Sequence, residues 1–319
     1  MGEFIIMLRN VIIFVALAIP GYMLVRFGIL RQEQSGVLSK ILMFLAMPFL
    51  IFSGSVNNLS FNREAQLMIG IVLVIGIAYT LAMFFVSKPL VGMKKSETTK
   101  GMVRFCSVFS NNGFLGIPLA VAVFGRESRV FAVLILLNII SNVLMYILGP
   151  NLVSGVKQSV NIKKVFLNPV LIAFVLGVLF NLLHISNYIP EVTIFSDYFS
   201  GLVTPISMTI LGMKMATVRF SSILKAGKLY YVSVLKLVVF PIVIIAILLA
   251  FKNLFVNIEF ESLVLGVFFA FSMPTAGLAT TFADEFNGDT ENAVIYTLGT
   301  TILSIFTIPL IYWLLNFFI

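Results

Sequence analysis

Two adjacent asparagines, Asn111 and Asn112, stand in the middle of an apolar run and lead into Gly113, Gly116 and Pro118. Side-chain amides both donate and accept hydrogen bonds, and in a hydrocarbon setting they are expensive unless paired. Their chemistry is recognition rather than bond cleavage. A second apolar run carries a comparable interruption, Phe271-Ser272-Met273-Pro274-Thr275-Ala276-Gly277. Proline there lacks an N–H and clashes with the preceding turn, and glycine adds backbone freedom. Residues suited to hydrolysis are missing from such positions. The only histidine, His184, falls at the end of an apolar run, and the chain has no H-E-x-x-H and no pair of aspartates within a run. Neither an enzyme active site nor a cofactor or metal site is expected.

The elements that must position these residues follow from composition. The 319 residues are 60% hydrophobic and 11% charged, with a mean hydropathy of +1.09. A soluble domain carries about 25% charged residues, so lipid must be the solvent for most of this surface. In lipid every backbone N–H and C=O has to be satisfied internally, which leaves helices or a closed barrel. The apolar runs are continuous over about 20 residues, whereas barrel strands alternate in segments of about ten; the expected class is an all-α membrane protein. The net charge of +8 does not imply nucleic acid, since no basic face lies free of an apolar run and basic residues set topology in membrane proteins. Cys106 is the one cysteine and lies in an apolar stretch, as a small core residue. Near the start, Arg9 followed by an apolar run and Ala16-Leu17-Ala18 resembles a signal peptide, but the run continues to Val25 and reads as a retained span.

Ten spans are expected, at 4–25, 37–55, 66–86, 101–123, 129–153, 165–185, 196–216, 229–251, 261–283 and 292–318. The loops after odd-numbered spans hold fifteen Lys and Arg, among them Lys94, Lys95, Lys164, Lys214, Arg219 and Lys225. The other side holds five: Arg9, Arg63, Arg126, Arg129 and Lys252. The positive-inside rule makes the odd loops cytoplasmic and both termini external, in the cytoplasmic membrane.

Ten spans divide into five plus five, and an odd repeat must insert its second copy upside down. A shift of 163 residues places Asn111 on Pro274, Gly125 on Gly288 and Ser141 on Ser304, and a shift of 157 places Pro48 on Pro205. The expected units are residues 1–153 and 165–319. Either interruption alone could be an ordinary kink, with asparagine gluing helices together. Two interruptions at corresponding positions of inverted halves point instead to a transport site. After each break a second half-helix starts near the midplane, and two such N-termini, each carrying about half a positive charge, would accept an anion.

The motifs Leu38-Ser39-Lys40 and Leu45-Ala46-Met47-Pro48, Asn112-Gly113-Phe114-Leu115-Gly116-Ile117-Pro118-Leu119, Asn142 ahead of Met145-Tyr146-Ile147-Leu148-Gly149, Met273-Pro274-Thr275, and Ala283-Asp284-Glu285-Phe286-Asn287-Gly288-Asp289 resemble those of the auxin efflux carrier family. The resemblance covers nearly the whole chain. It implies the inverted-repeat fold shared with relatives of the bile-acid sodium symporters. Spans 4 and 9 would cross in a moving core of spans 3–5 and 8–10, with spans 1, 2, 6 and 7 as a scaffold and dimer contact. It implies small organic anions, carboxylates above all, as substrates. The candidate substrate-binding residues are Asn111, Asn112, Gly113, Asn138, Asn142, Pro274 and Thr275, with Ser53 near the position of a serine in plant members. Two features depart from the plant carriers: the loop between spans 5 and 6 is about ten residues long, and residues 66–86 contain no charge.

Coupling to sodium or protons commonly uses carboxylates inside the membrane, and no Asp or Glu falls near a midplane here. The expected drive is therefore the membrane potential and the substrate gradient; sodium held by carbonyls and asparagines is the alternative. Lys236 is the one clearly intramembrane cation. Its long stem lets it snorkel to the interface; otherwise it would attract anions from the cytoplasm. A channel or a non-transporting receptor are the remaining alternatives, told apart by saturation and counterflow and by binding without flux.

Overall fold

The computed structural model describes residues 2–91, 96–158, 162–216, 223 and 225–319; Lys94, Lys95 and Arg219 of the charge count lie outside the described residues. Among those described, the chain is helical throughout, with a single isolated two-residue β-bridge and no strand. The helices are α1 (Gly2–Ala16), α2 (Ile19–Arg26), α3 (Ser35–Ile41), α4 (Met47–Asn58), α5 (Arg63–Leu90), α6 (Glu97–Val108), α7 (Ile117–Phe124), α8 (Arg129–Ser154) and α9 (Ile162–Phe166). They continue as α10 (Pro169–Leu182), α11 (Glu191–Ser200), α12 (Val203–Met215), α13 (Gly227–Val234), α14 (Phe240–Ala250), α15 (Phe260–Phe271), α16 (Ala279–Glu285) and α17 (Thr290–Leu315). Among the described residues seven helical stretches are long and apolar enough to cross a membrane: Ile5–Arg26, Gln32–Asn58, Arg63–Leu90, Arg129–Ser154, Glu191–Met215, Gly227–Ala250 and Thr290–Leu315. Three shorter apolar helices, Asn112–Phe124, Pro169–Leu182 and Phe260–Phe271, accompany them.

Polar side chains mark the helix starts. Asn62 accepts from the Ala65 N–H at 2.8 Å, Asn168 from the Val170 N–H at 2.9 Å and Asp289 from the Asn292 N–H at 3.1 Å; Ser96 and Ser128 cap α6 and α8 in the same way. Each satisfies an orphan N–H that water would otherwise have to solvate. Burial pushes the Asp289 carboxyl up, but hydrogen bonds from Thr99 and Asn292 outweigh it and hold the group below the ordinary carboxylate range. Proline explains three further irregularities. Wide π-turns at 42–46, 112–116 and 235–239 each precede a proline by two residues, at Pro48, Pro118 and Pro241. A proline ring collides with the carbonyl four residues back, and one extra residue in the turn relieves the collision.

The burial pattern is that of an apolar-solvated bundle. Val74, Phe85 and Phe306 expose 68, 66 and 72% of their surface, as side chains bathed in lipid would. At the centre lies α8, which contacts α4, α5, α6 and α15. Glycine permits its closest approach: a Cβ on Gly101 would overlap the carbonyl oxygen of Leu152, so no other residue fits without prying α6 from α8. Gly101→Ala is expected to destabilise the fold by about 3 kcal/mol, the upper end for overpacking, because the obstacle is backbone. Gly36, with nothing within 4 Å of a Cβ, is the matched control. Thermal unfolding in detergent should show a lowered midpoint for Gly101→Ala and none for Gly36→Ala.

Ion pairs and side-chain hydrogen bonds gather the helix ends onto two faces. Arg129 bonds Glu64 at 2.7 Å and Glu259 at 2.9 Å, and Arg126 bonds Asp197 at 3.0 Å. On the other face Thr99 bonds Asp289 at 2.6 Å, Lys164 pairs with Glu285 and Lys214 donates to Thr280 at 3.1 Å.

Candidate functional site

Helix α6 stops at Val108, and Phe109 is extended at φ −89°, ψ 129°. The chain resumes as the π-turn at Asn112 and runs into α7. Helix α15 stops at Phe271 and α16 begins at Ala279. The two breaks meet. The Asn111 N–H donates to the Pro274 carbonyl at 2.7 Å and the Ala276 N–H to the Phe109 carbonyl at 2.9 Å, making an antiparallel bridge centred on Ser110 and Thr275. Four main-chain groups that the breaks leave without helical partners thus satisfy one another across the joint. Gly116 fits here because a Cβ would lie 2.7 Å from the Phe269 carbonyl oxygen.

Beside this joint runs a chain of amides. Asn142 donates to the Asn138 carbonyl at 2.9 Å and to its Oδ1 at 3.2 Å; Asn138 donates to Asn112 Oδ1 at 2.9 Å; Asn112 donates to Ser141 Oγ at 3.2 Å. Asn138, Ser141 and Asn142 lie three and four residues apart on α8 and therefore share a face. Asn112 and Asn138 are buried and Asn142 half-buried. These groups line a cleft that, measured out to its mouth, encloses ≈ 570 Å³ of non-atom space. Met43, Met47 and Val170 give it apolar lining, Asn168 a further amide, and Ala276, Gly277 and Leu278 line it from the second break. Among the described residues no carboxylate lines it. A neighbouring cleft shares Asn111, Phe114, Gly277 and Leu278 and is lined further by Ser39, Ser207, Lys214, Thr297 and Thr301.

Of the residues singled out from sequence, Asn111, Asn112, Gly113, Asn138 and Asn142 line one cleft. Pro274 and Thr275 lie in the joint behind it. Thr275 is fully buried, its N–H donating to Thr300 Oγ1 at 3.1 Å and its hydroxyl to the Cys106 carbonyl at 2.9 Å, so its polar groups hold the joint together. Ser53 sits apart: it donates to Asp197 Oδ1 at 2.8 Å, on the face where Arg126 also reaches Asp197. Ser141 and Asn168 were not anticipated as lining residues; the three- and four-residue spacing with Asn138 and Asn142 was the available signal for Ser141.

Lys236 does not snorkel. It is fully buried and donates to the Val108 carbonyl at 3.3 Å and to Ser110 Oγ. Val108 ends α6, so its carbonyl is one of those left without an intrahelical partner, at the negative end of the helix dipole. That acceptor keeps the ammonium in the interior.

The family model described as membrane transport protein matches residues 5–165 and 157–312. An uncharacterized transporter of Methanothermobacter thermautotrophicus is 30% identical over 310 residues, covering 95% of this chain and 96% of the relative. An uncharacterized transporter of Methanocaldococcus jannaschii is 27% identical over 212 residues, covering 65% and 68%. With its family and both relatives transporters rather than enzymes, and with its apolar helices, this chain is an integral, multi-pass membrane protein that belongs to the membrane transport protein family, the auxin efflux carriers.

Proposed function

We propose that this protein is a secondary carrier of small organic anions, and that the substrate binds in the amide-lined cleft where the two broken helices meet. The observation that carries the reading is the composition of that cleft: five amides and two serine hydroxyls, no carboxylate among the described residues, and the Lys236 ammonium hydrogen-bonded to Ser110 in its wall. Neutral N–H and O–H donors with no carboxylate beside them favour an anion over a cation. The first turn after Asn111 adds backbone N–H groups at a helix start. A carboxylate on a small organic body suits the remaining walls, Met43, Met47 and Val170.

In this reading the seven long and three shorter apolar helices form ten spans in two inverted repeats, residues 1–153 and 165–319. Helices α6 and α15, each of 12 residues and 163 positions apart, are the equivalent first halves of the crossing spans. Spans 3–5 and 8–10 form the core that moves the cleft from one side to the other, an elevator, against a scaffold of spans 1, 2, 6 and 7 that also pairs two copies. The face with Lys164 and Lys214 is cytoplasmic by the charge bias, and both termini are external.

The test is uptake of radiolabelled mono- and dicarboxylates into proteoliposomes. A carrier is expected to saturate with substrate and to show accelerated exchange when unlabelled substrate is inside. Unsaturable flux without counterflow would identify a channel, and binding without flux a receptor; either outcome overturns the proposal.

A further inference from the structure

The crossing brings together the finishing ends of two half-helices as well as the starting ends. Val108 is the last residue of α6 and Phe271 the last of α15. Ser110 links them: its hydroxyl accepts from Lys236 and donates to the Phe271 carbonyl at 3.5 Å. One ammonium therefore serves, directly and through one hydroxyl, the negative ends of both helices. Each such end carries about half a negative charge. In broken-helix transporters, oxygens at half-helix C-terminal ends are where a coupling cation is held. Lys236 is fully buried, and the oxygens it bonds are neutral. Two more buried hydroxyls with no hydrogen-bond partner belong to the same segments, Ser233 three residues before Lys236 and Ser272 immediately after α15. These are hard oxygen donors of the kind an alkali cation takes.

We propose that the Lys236 ammonium is a tethered counter-ion: it occupies the cation position at the crossing and so frees the carrier from binding a sodium ion there. The inference rests on the crossing being the transport site. It goes further by giving a physical reason for transport without a co-ion and by naming the residue responsible. Removing the ammonium but leaving Val108, Ser110 and Phe271 in place would open an oxygen-lined vacancy between two negative helix ends, which a sodium ion can fill.

The experiment compares wild type with Lys236→Ser, which opens the vacancy, Lys236→Met, which removes the charge but fills the space, and Lys236→Arg, which keeps the charge. Thermal unfolding in detergent is measured in sodium chloride and in choline chloride at equal ionic strength. Lys236→Ser should gain about 3–5 °C from sodium, as a ligand well above its dissociation constant would give. Wild type, Lys236→Met and Lys236→Arg should show no sodium-specific shift. In proteoliposomes, uptake by Lys236→Ser should be at least tenfold greater with a sodium gradient than with choline, and wild-type uptake should be equal in the two. Sodium stabilisation of wild type, or none in Lys236→Ser, overturns the tethered counter-ion. If Lys236→Ser yields folded protein only in sodium, that rescue supports it, and failure to fold in either salt while Lys236→Met folds overturns it. Because the unfolding measurement needs no substrate, it stands even if no anion is carried, which would sink the functional proposal alone.

Discussion

Asn112→Ala is expected to reduce uptake of a recognised organic anion by about 5- to 150-fold, with the protein still inserted and monodisperse. Asn112 is the hub of the amide chain, accepting from Asn138 at 2.9 Å and donating to Ser141 at 3.2 Å. Alanine strands the Asn138 donor, a buried group, and removes an amide from the cleft wall. An unsatisfied buried polar group costs about 1–3 kcal/mol, and 1.4 kcal/mol is about a factor of ten. Asn142→Ala is the companion. Asn142 only donates into the chain, to Asn138, and is half-buried at the cleft, so its loss should leave Asn112 and Asn138 bonded and act on the substrate more than on the fold. The measurement is the initial uptake rate at matched reconstitution, with size-exclusion profiles as the check on folding. Near-normal rates for both variants would mean that these amides only hold helices together.

The second large effect is electrical. An anion carried without a co-ion moves charge, so uptake into proteoliposomes should be driven by a potassium–valinomycin potential, inside positive, with no sodium or pH gradient. One charge across 100 mV is worth about 2.3 kcal/mol, roughly a 50-fold accumulation at equilibrium. The rate should rise with the imposed potential and saturate with substrate. Uptake that ignores the potential and appears only with a sodium gradient would mean that the broken helices hold a cation alongside Lys236, and it would count against both the anion reading and the counter-ion.

The two interruptions could be read from the sequence because their causes are local. Pro274 and Pro118 cannot continue an ordinary hydrogen-bond ladder, and Asn111-Asn112 in an apolar run must find partners somewhere. The ends of the helix at Arg129–Ser154 fall within a residue of the expected span 129–153, whereas Arg63–Leu90 runs three to four residues past each end of the expected span 66–86, because the Asn62 cap and the polar last turn lie outside the apolar run that marks the span. The aim of Lys236 was not. It lies inside the π-turn at 235–239, where one inserted residue changes the register by about 100°, and an apolar pattern of period 3.6 does not report that slip. Nor could span position alone tell that Ser53 pairs with Asp197, 144 residues away. Such contacts depend on how two helices from different parts of the chain rotate about their axes, which local pattern leaves undetermined.

The joint between the breaks is built from main-chain atoms, and this decides which substitutions drift can pass through it. At position 274 only the carbonyl is used, so a residue without an N–H is admissible there, and proline is what stands there. At position 111 the N–H itself is the donor, so proline is the one residue whose entry would cut that bond, whatever its side chain did. A shift of 163 residues sets these two positions on one another, yet they carry opposite obligations. Under the proposed inverted repeat, two copies of one segment could diverge at this point in composition, but each only in its own direction: one toward losing a donor, the other bound to keep it.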